Sequence, residues 1–170
     1  KKTLIKKTID KARKIKVIKK IVLVYNKKHK KKLDNLNIKN VIKVTGGSTR
    51  AQSTFLALKK IKKLNCSKIL IHDTARPNIS SKLIKKIIYT LQFHNSAIPT
   101  IKVKDSIKLR NQIGSISNVN RKNLLMTQTP QGFQYKDILK LHKKNKNINI
   151  TDDVSLFVND NKKIQMIKGE

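Results

Sequence analysis

Acidic residues are scarce in this chain of 170 residues: nine Asp and Glu stand against 41 Lys and Arg, for a formal net charge of +32. Glutamate occurs only as Glu170. Tryptophan is absent and aromatics make up 4% of the chain, which removes the stacking platforms that binders of single-stranded nucleic acid interleave with their cations. A single cysteine, Cys66, excludes an intramolecular disulfide framework and a cysteine-rich zinc site. No apolar run approaches the length needed to cross a bilayer, which excludes a membrane-spanning helix. What remains is a chain long enough to bury a core. Its apolar residues are clustered into runs, unlike those of a disordered polycation. The composition predicts a soluble, cytosolic protein with polyanionic partners.

The positive surplus is almost all lysine, spread over the whole chain among isoleucines and asparagines. Its densest run, Lys27-Lys28-His29-Lys30-Lys31-Lys32, is either a phosphate-contacting patch or a solvated face, and the even spread of lysine elsewhere favours the solvated face. The chain opens at Lys1 without an initiator methionine, as a processed or truncated piece would. Residues 1–16 are basic like a transit peptide. Leu4, Ile5, Ile9, Ala12 and Ile15 better suit one face of a helix packed on a sheet.

Ile21-Val22-Leu23-Val24-Tyr25 reads as a buried strand and is followed by a short basic helix to about Asn37. Val41–Val44 is a second strand, running through Thr45-Gly46-Gly47-Ser48-Thr49 into a helix from Arg50 to Lys63, with Ser48 or Thr49 as its cap. Lys68–Ile71 is a third strand, ending in His72-Asp73. The turn Thr74-Ala75-Arg76-Pro77 then leads to a helix capped near Ser80 or Ser81, with Leu83, Ile84, Ile87, Ile88 and Leu91 on its apolar face. Alternating strands and helices predict a parallel α/β sheet, whose ligands bind at the carboxyl ends of strands. The Gly46-Gly47 turn and His72-Asp73 both fall there. Ile101, Val103, Ile107 and Leu109 alternate with polar residues as in a half-buried strand. A turn at 111–115 and a returning strand at Ile116–Val119 complete a β-arm. Asp105 falls on the apolar parity of this strand, so it marks a strand end or bulge, or else faces a partner or ligand. Arg121–Met126 reads as helical, Tyr135–Lys144 as a helix, Thr151-Asp152-Asp153 as the cap of another, and Ile164–Ile167 as a last strand.

Among the few acids, Asp73 is the strongest catalytic candidate. A carboxylate at a strand's carboxyl end either holds the Mg²⁺ that a nucleoside triphosphate requires or forms a turn with its own backbone; spacing alone leaves both open. Gly46-Gly47 lets backbone N–H groups approach a ligand, but it matches neither the Walker loop nor the dinucleotide fingerprint. Arg50 and Ser53, on the first turns of the following helix, are placed either to meet phosphate or ribose or to be an ordinary surface arginine and helix serine. His72 has no serine or cysteine nucleophile beside it. His29, His94 and His142 lie in basic or helical contexts that do not suggest a metal cluster.

Five motifs then combine in order. Val44-Thr45-Gly46-Gly47-Ser48-Thr49-Arg50-Ala51-Gln52-Ser53 resembles V-x-G-G-x-x-R-x-x-S. Ile69–Pro77 resembles (V/I)-L-(V/I)-H-D-A-A-R-P, with Thr74 in place of the usual alanine. Pro99 with Lys104-Asp105-Ser106-Ile107-Lys108 resembles P-V-x-D-T-(I/M)-K. Arg121, Leu124 and Gln128-Thr129-Pro130-Gln131-Gly132-Phe133 resemble R-x-x-L-x-x-x-Q-T-P-Q-x-F, and Thr151-Asp152-Asp153-Val154-Ser155 resembles T-D-(D/E)-x-S. Together they resemble the 2-C-methyl-D-erythritol 4-phosphate cytidylyltransferases of non-mevalonate isoprenoid biosynthesis, over nearly the whole chain. The resemblance implies a Rossmann-like nucleotidyltransferase fold, three-layered α/β/α with a mostly parallel sheet. It implies a homodimer joined through a β-arm at about residues 102–121. It implies attack of the 4-phosphate of methylerythritol phosphate on the α-phosphorus of CTP, with pyrophosphate leaving. By motif position, Gly46, Gly47, Ser53, Asp73, Thr74 and Arg76 would bind the nucleotide, and Asp73 would hold Mg²⁺. Asp105, Ser106, Lys108, Arg121, Thr129, Thr151 and Asp152 would bind the sugar phosphate, partly across the dimer. Asp73, Lys108 and Arg121 would carry the catalysis.

The family's glycine-rich A-A-G-x-G-x-R loop and its terminal N-x-K-(I/V)-T have no counterpart here. The resemblance therefore implies a single nucleotidyltransferase domain over residues 1–170, truncated at both ends, weakly active or inactive alone, with a gap where the first strand would lie. A ribitol 5-phosphate cytidylyltransferase shares the scaffold, but the Asp-Ser-Ile-Lys arm and Gln-Thr-Pro-Gln favour methylerythritol phosphate. A basic nucleic-acid-binding module would leave the five ordered motifs without a reason, so no specific nucleic-acid partner and no membrane partner are expected. Fusion to the next cyclase of the pathway stays open. The implied location is bacterial cytoplasm or a plastid-type organelle.

Overall fold

The computed structural model describes residues 3–145 and 150–170. Helix α1 (Leu4–Arg13) precedes strand β1 (Val22–Tyr25), the short helix α2 (Lys30–Asn35) and strand β2 (Ile42–Thr45). β1 and β2 pair in parallel, with Leu23 opposite Lys43. Ile9 of α1 packs with Leu23, Leu33 and Ile38 into a local core. Ile9 and Ile15 are thus buried as the periodicity predicts, while Leu4 of the same face stays exposed.

Helix α3 (Arg50–Lys60) follows β2 and leads to strand β3 (Lys68–Ile71), helix α4 (Ser81–Thr90) and strand β4 (Ser96–Lys102). The caps are chemically plain. Thr49 accepts the Gln52 N–H on α3, and Ser80 accepts the Leu83 N–H on α4. Each satisfies a backbone donor that the first helical turn leaves free. α3 ends earlier than predicted, at Lys60, because Lys62–Leu64 tightens into a 3-10 turn closed by Asn65 in the left-handed conformation.

The arm departs from the predicted continuous strand. β4 ends at Lys102, residues 103–107 leave the ladder, and β5 (Lys108–Arg110) pairs with β6 (Ile116–Asn118) as a separate antiparallel hairpin. Asp105 therefore lies in the break, which explains an acid on apolar parity. The half-buried face expected of this strand holds at Ile101 and Val103 and is lost beyond the break, where Leu109 is 62% exposed; in the turn and returning strand Ile113 is 89% exposed and Ile116 67%.

Two further corrections concern the segment after the arm. Arg121–Met126 is not helical: only Arg121–Asn123 forms a 3-10 turn, and Leu125–Thr127 is strand β7, antiparallel to β4. Gln131–Gln134 is strand β8, inserted antiparallel between β3 and β4. The β3–β8 pairing needs Gly132. A Cβ there would lie 2.4 Å from Ile87 Cγ2 and 3.0 Å from Leu91 Cδ1, inside a fully buried layer. The Thr129–Pro130 peptide ahead of β8 is cis. Helix α5 (Tyr135–Lys144), helix α6 (Ser155–Asn159) and strand β9 (Met166–Lys168), parallel to β4, complete the chain. The expected last strand thus starts two residues later and ends one residue later than its apolar run suggested. The sheet runs β3-β8-β4-β7 with β9 also on β4, so β3, β4 and β9 share a direction. The fold is α/β, with α3 and α5 packed together over the largest apolar cluster, around Leu58, Phe133, Ile138 and Phe157.

Candidate functional site

The glycine turn after β2 is built around Ser53 and Gln52. Gly46 N–H donates to the Tyr25 carbonyl and prolongs the β1–β2 ladder. Gly47 N–H donates to Ser53 Oγ at 3.1 Å, and Ser48 N–H donates to Gln52 Oε1 at 3.0 Å. A Cβ on Gly46 would sit 2.7 Å from Ser53 Oγ, and one on Gly47 would sit 2.6 Å from Gln52 Cβ. Both positions therefore need the missing side chain for close approach, because these contacts are far inside van der Waals distance.

Beyond β3 the chain turns sharply, with Arg76 N–H donating to the Asp73 carbonyl at 3.0 Å. Arg76 Nε lies 3.5 Å from Asp73 Oδ2, and both side chains are about half exposed. Thr8 of α1 donates to the Thr74 carbonyl at 3.0 Å and ties the turn to the first helix. His72 is held at both ring nitrogens. Nε2 lies 3.0 Å from the Arg76 carbonyl and Nδ1 lies 3.0 Å from Thr129 Oγ1. A carbonyl only accepts, so Nε2 carries the proton and neutral Nδ1 accepts from the threonine hydroxyl. Burial holds the imidazole below its usual range, outweighing the opposing pull of the Arg76 carbonyl and the Asp73 charge.

Asp152 is saturated. Its Oδ2 accepts from Thr127 Oγ1 at 2.9 Å and from Gln131 Nε2 at 2.8 Å, and its Oδ1 accepts from Ser155 N–H and Oγ. Burial pushes this carboxyl up, yet the bonds from Ser155, Gln131 and Thr127 together bring it below its ordinary value. The oxygen of the same Gln131 amide accepts Val154 N–H at 3.1 Å, so one buried glutamine clamps the 152–154 turn.

Two cavities adjoin here. The first, about 370 Å³, lies between β1 and β3 and is lined by Ser53, Asp73 and Thr74 among others. The second, about 170 Å³, is lined by Asp73, Arg76, Thr129, Gln131, Thr151 and Asp152. Arg50 also lines both. Of the residues singled out from sequence, Ser53, Asp73, Thr74, Arg76, Thr129, Thr151 and Asp152 therefore converge, and Gly46 and Gly47 adjoin them through Ser53. Asp105, Ser106, Lys108 and Arg121 line neither cavity: they belong to the arm and its base, where Lys108 Nζ donates to Asn118 and Arg121 donates to the Lys104 carbonyl at 2.6 Å.

Sequence reasoning placed Asp153 in the Thr151-Asp152-Asp153 motif but gave it no partner, and gave His142 and Phe55 no role behind Arg50. Asp153 is fully buried, with Oδ2 2.6 Å from Arg50 Nη1 and Oδ1 3.0 Å from Nε2 of the buried His142. The Phe55 ring stacks on His142 at a centroid distance of 6.2 Å. The available signal was helical spacing: Tyr135, Ile138, Leu139 and His142 share one face of α5. Burial pushes the Cys66 thiol up, and it donates to the Lys68 carbonyl, away from both cavities.

Asp73 can hold a divalent cation. Its carboxylate is 42% exposed and, among the described residues, has only the long Arg76 contact as an ion-pair partner, which leaves oxygen lone pairs free. Among the described residues no three His, Cys, Asp or Glu side chains cluster as a protein-only metal cage. A single carboxylate suits Mg²⁺, which keeps most of its waters and takes further oxygens from phosphates. Among the described residues no helix is long and apolar enough to cross a membrane.

Comparison with known proteins places these features in a family. The family model for IspD, 2-C-methyl-D-erythritol 4-phosphate cytidylyltransferase, matches residues 1–170. The chain is 46% identical over 169 residues to a bifunctional enzyme IspD/IspF of Pelagibacter ubique, covering 99% of this chain and 45% of that protein. It is 39% identical to a 2-C-methyl-D-erythritol 4-phosphate cytidylyltransferase of Clostridium botulinum, covering 81% of this chain and 61% of that one. The crystal structure of the 4-diphosphocytidyl-2C-methyl-D-erythritol synthase of Anaerococcus prevotii superposes with a TM-score of 0.88 at 29% identity, over 99% of this chain and 78% of that one. The chain thus spans less than half of one curated relative and under two thirds of the other. On its sequence and its fold alike, the chain belongs to the 2-C-methyl-D-erythritol 4-phosphate cytidylyltransferase family.

Proposed function

We propose that the protein containing this chain transfers a cytidylyl group from CTP to 2-C-methyl-D-erythritol 4-phosphate, releasing pyrophosphate. The observation that carries this reading is the pair of adjoining cavities that share Arg50 and Asp73 as walls. A reaction that joins two phosphates needs two sites with a common boundary, and the shared walls Arg50 and Asp73 support that reading. Ser53, Thr74 and the Gly46-Gly47 turn take the nucleotide side; Arg76, Thr129, Thr151 and the Asp152 turn take the sugar phosphate. A phosphate oxygen of the acceptor attacks the α-phosphorus as the bond to the pyrophosphate oxygen breaks. No covalent enzyme intermediate is needed, so the protein contributes positioning and charge neutralisation. Mg²⁺ held at Asp73 would neutralise the triphosphate and ease departure of pyrophosphate.

Two features of the wider protein belong to the same proposal. Only the end of the first cavity at Ser53, Asp73 and Thr74 serves the nucleotide; its apolar part is flanked by β1 and β3 through Val22–Val24 and Ile69–Ile71, and among the described residues β1 pairs only with β2 and β3 only with β8. A further strand carrying the family's glycine-rich loop fits there and would bring additional cations to the triphosphate. The exposed apolar side chains of the arm, Leu109, Ile113 and Ile116, support homodimerisation through β5 and β6, which would deliver Lys108 and Arg121 to the neighbour's sugar-phosphate pocket. The test is pyrophosphate release by the full-length protein with CTP, Mg²⁺ and either methylerythritol phosphate or ribitol 5-phosphate. Turnover with the first and not the second is expected. Preference for ribitol 5-phosphate, or no CTP-dependent release, overturns the reading.

A further inference from the structure

Arg50 opens α3 at the wall between the two cavities, with a third of its side chain exposed. Its one ion-pair or hydrogen-bond partner among the described residues is Asp153. The 2.6 Å approach of Nη1 to Oδ2 is an ion pair without hydrogen-bond alignment, so both buried atoms keep unspent hydrogen-bonding capacity. Behind it, Asp153 is anchored by His142, whose Nε2 donates to Oδ1 at 3.0 Å, and Phe55 backs the imidazole. The chain His142–Asp153–Arg50 therefore runs from a closed interior to an open boundary and ends on a guanidinium whose Nη1 is buried against Asp153 and whose Nε and Nη2 have no partner among the described residues. Interior groups with locked positions hold a surface group to a fixed geometry at little entropic cost.

We propose that Arg50 is a further catalytic residue, held by the buried positioning pair Asp153 and His142 at the boundary of the two cavities, where it donates N–H hydrogen bonds to the two phosphates being joined. This rests on the cytidylyl-transfer reading. Arg50 moves no proton: the acceptor phosphate oxygen forms the new P–O bond, and pyrophosphate leaves with the electron pair of the bond that breaks. Asp153 cancels the formal charge of Arg50, so the contribution is direction rather than net charge. A planar fork can reach an oxygen on each phosphate, and a lysine ammonium at the same position cannot. As charge builds on the bridging and equatorial oxygens, donors already in place stabilise the transition state more than the bound substrates.

The test uses the full-length protein, with circular dichroism confirming that each variant folds. Arg50→Lys is expected to lower kcat by about 100-fold, while KM for CTP and for the sugar phosphate change by less than about threefold. His142→Leu removes the donor behind Asp153 and is expected to lower kcat by about tenfold, and His142→Gln, which keeps an amide N–H for Asp153, to recover most of it. A purely structural role predicts instead that both His142 variants lose activity in proportion to their folded fraction. Arg50→Lys with near wild-type kcat, or a loss confined to KM, overturns the assignment of Arg50. Equal kcat in His142→Leu and His142→Gln overturns the positioning role. A wild-type protein without cytidylyl transfer overturns the underlying reading, and the Arg50 proposal with it.

Discussion

Thr129 Oγ1 bridges His72 and Asp73: it lies 3.0 Å from His72 Nδ1 and 3.3 Å from the Asp73 backbone nitrogen. Because His72 Nε2–H is committed to the Arg76 carbonyl, the threonine donates to the imidazole and accepts from the aspartate N–H. The end of β3, the Asp73 turn and the cis-peptide segment before β8 are thereby fixed to one another through one hydroxyl. Neutral His72 is part of that arrangement, since a protonated ring would present a second donor to Thr129.

The first prediction follows from the sign of the His72 shift. Its pKa is lowered in the folded protein, chiefly by burial, from an ordinary 6.5. The unfolded chain therefore takes up a proton at this residue before the folded one does. Its contribution to stability is complete above pH 6.5 and is lost as the pH falls from there through the folded-state value. Urea midpoints of the full-length protein measured between about pH 7.5 and about pH 5.5 should decline, and His72→Gln should flatten part of that slope. An unchanged slope in the variant would remove His72 as the cause.

Asp153→Ala tests the energetics behind Arg50. Removing one member of a buried ion pair strands its partner, here with His142 losing its acceptor as well. The expected loss is about 3–5 kcal/mol, read as a fall in the urea midpoint with unchanged slope. Asp153→Glu, which keeps the charge in the T-D-(D/E)-x-S pattern, should cost less. Equal losses would show that side-chain volume rather than charge matters at this position.

Gly46→Ala addresses the nucleotide side. The added Cβ would meet Ser53 Oγ at 2.7 Å, so Ser53 must rotate and release the Gly47 N–H that it accepts at 3.1 Å. The turn would lose its shape at the rim of the first cavity while the helix behind it stays capped by Thr49. KM for CTP should rise by about tenfold or more, equivalent to one lost hydrogen bond, with KM for the sugar phosphate little changed. A wild-type KM for CTP would place the nucleotide elsewhere.

The parts legible in sequence are those governed by local rules. β1, β2, β3 and α4 announced themselves by apolar runs and periodicity, and Thr49 and Ser80 by cap chemistry. β8 was hidden because Gln131-Gly132-Phe133-Gln134 has no strand-like composition: its pairing is set by Gly132 fitting beneath Ile87 and Leu91, a long-range constraint. β7 was misread as helix because Leu124-Leu125-Met126 favours helix intrinsically, and pairing to β4 overrides that preference. At the site, motif order pointed to Asp73, Thr129 and Asp152. The roles of Asp152, spent on Thr127, Gln131 and Ser155, and of His142, on α5 and far along the chain from Arg50 of α3, depend on side-chain geometry that spacing does not encode. The arm's alternation was readable, but the exposure of Leu109 and Ile116, on opposite faces of the hairpin, was not.

Those two exposed side chains give the last prediction. Leu109 shares one face of the β5–β6 hairpin with Ser117, and Ile116 shares the other with Arg110; both Leu109 and Ile116 are about two-thirds exposed. If a second copy covers them, the double variant Leu109→Asp and Ile116→Asp should convert a dimer into a folded monomer by light scattering, with activity lost. Loss of activity alone does not establish that the arm acts on its neighbour, so complementation is the sharper measurement. Lys108→Ala inactivates the arm's contribution and Asp73→Asn the pocket's. In a mixed dimer, the pocket of the Lys108→Ala subunit is intact and receives a wild-type arm, while the other site carries both lesions. Random reassociation makes half of the dimers mixed, so about one quarter of all sites should recover activity if the arm reaches across the two-fold axis. Recovery near zero would confine Lys108 to its own subunit and leave the hairpin with a structural role only.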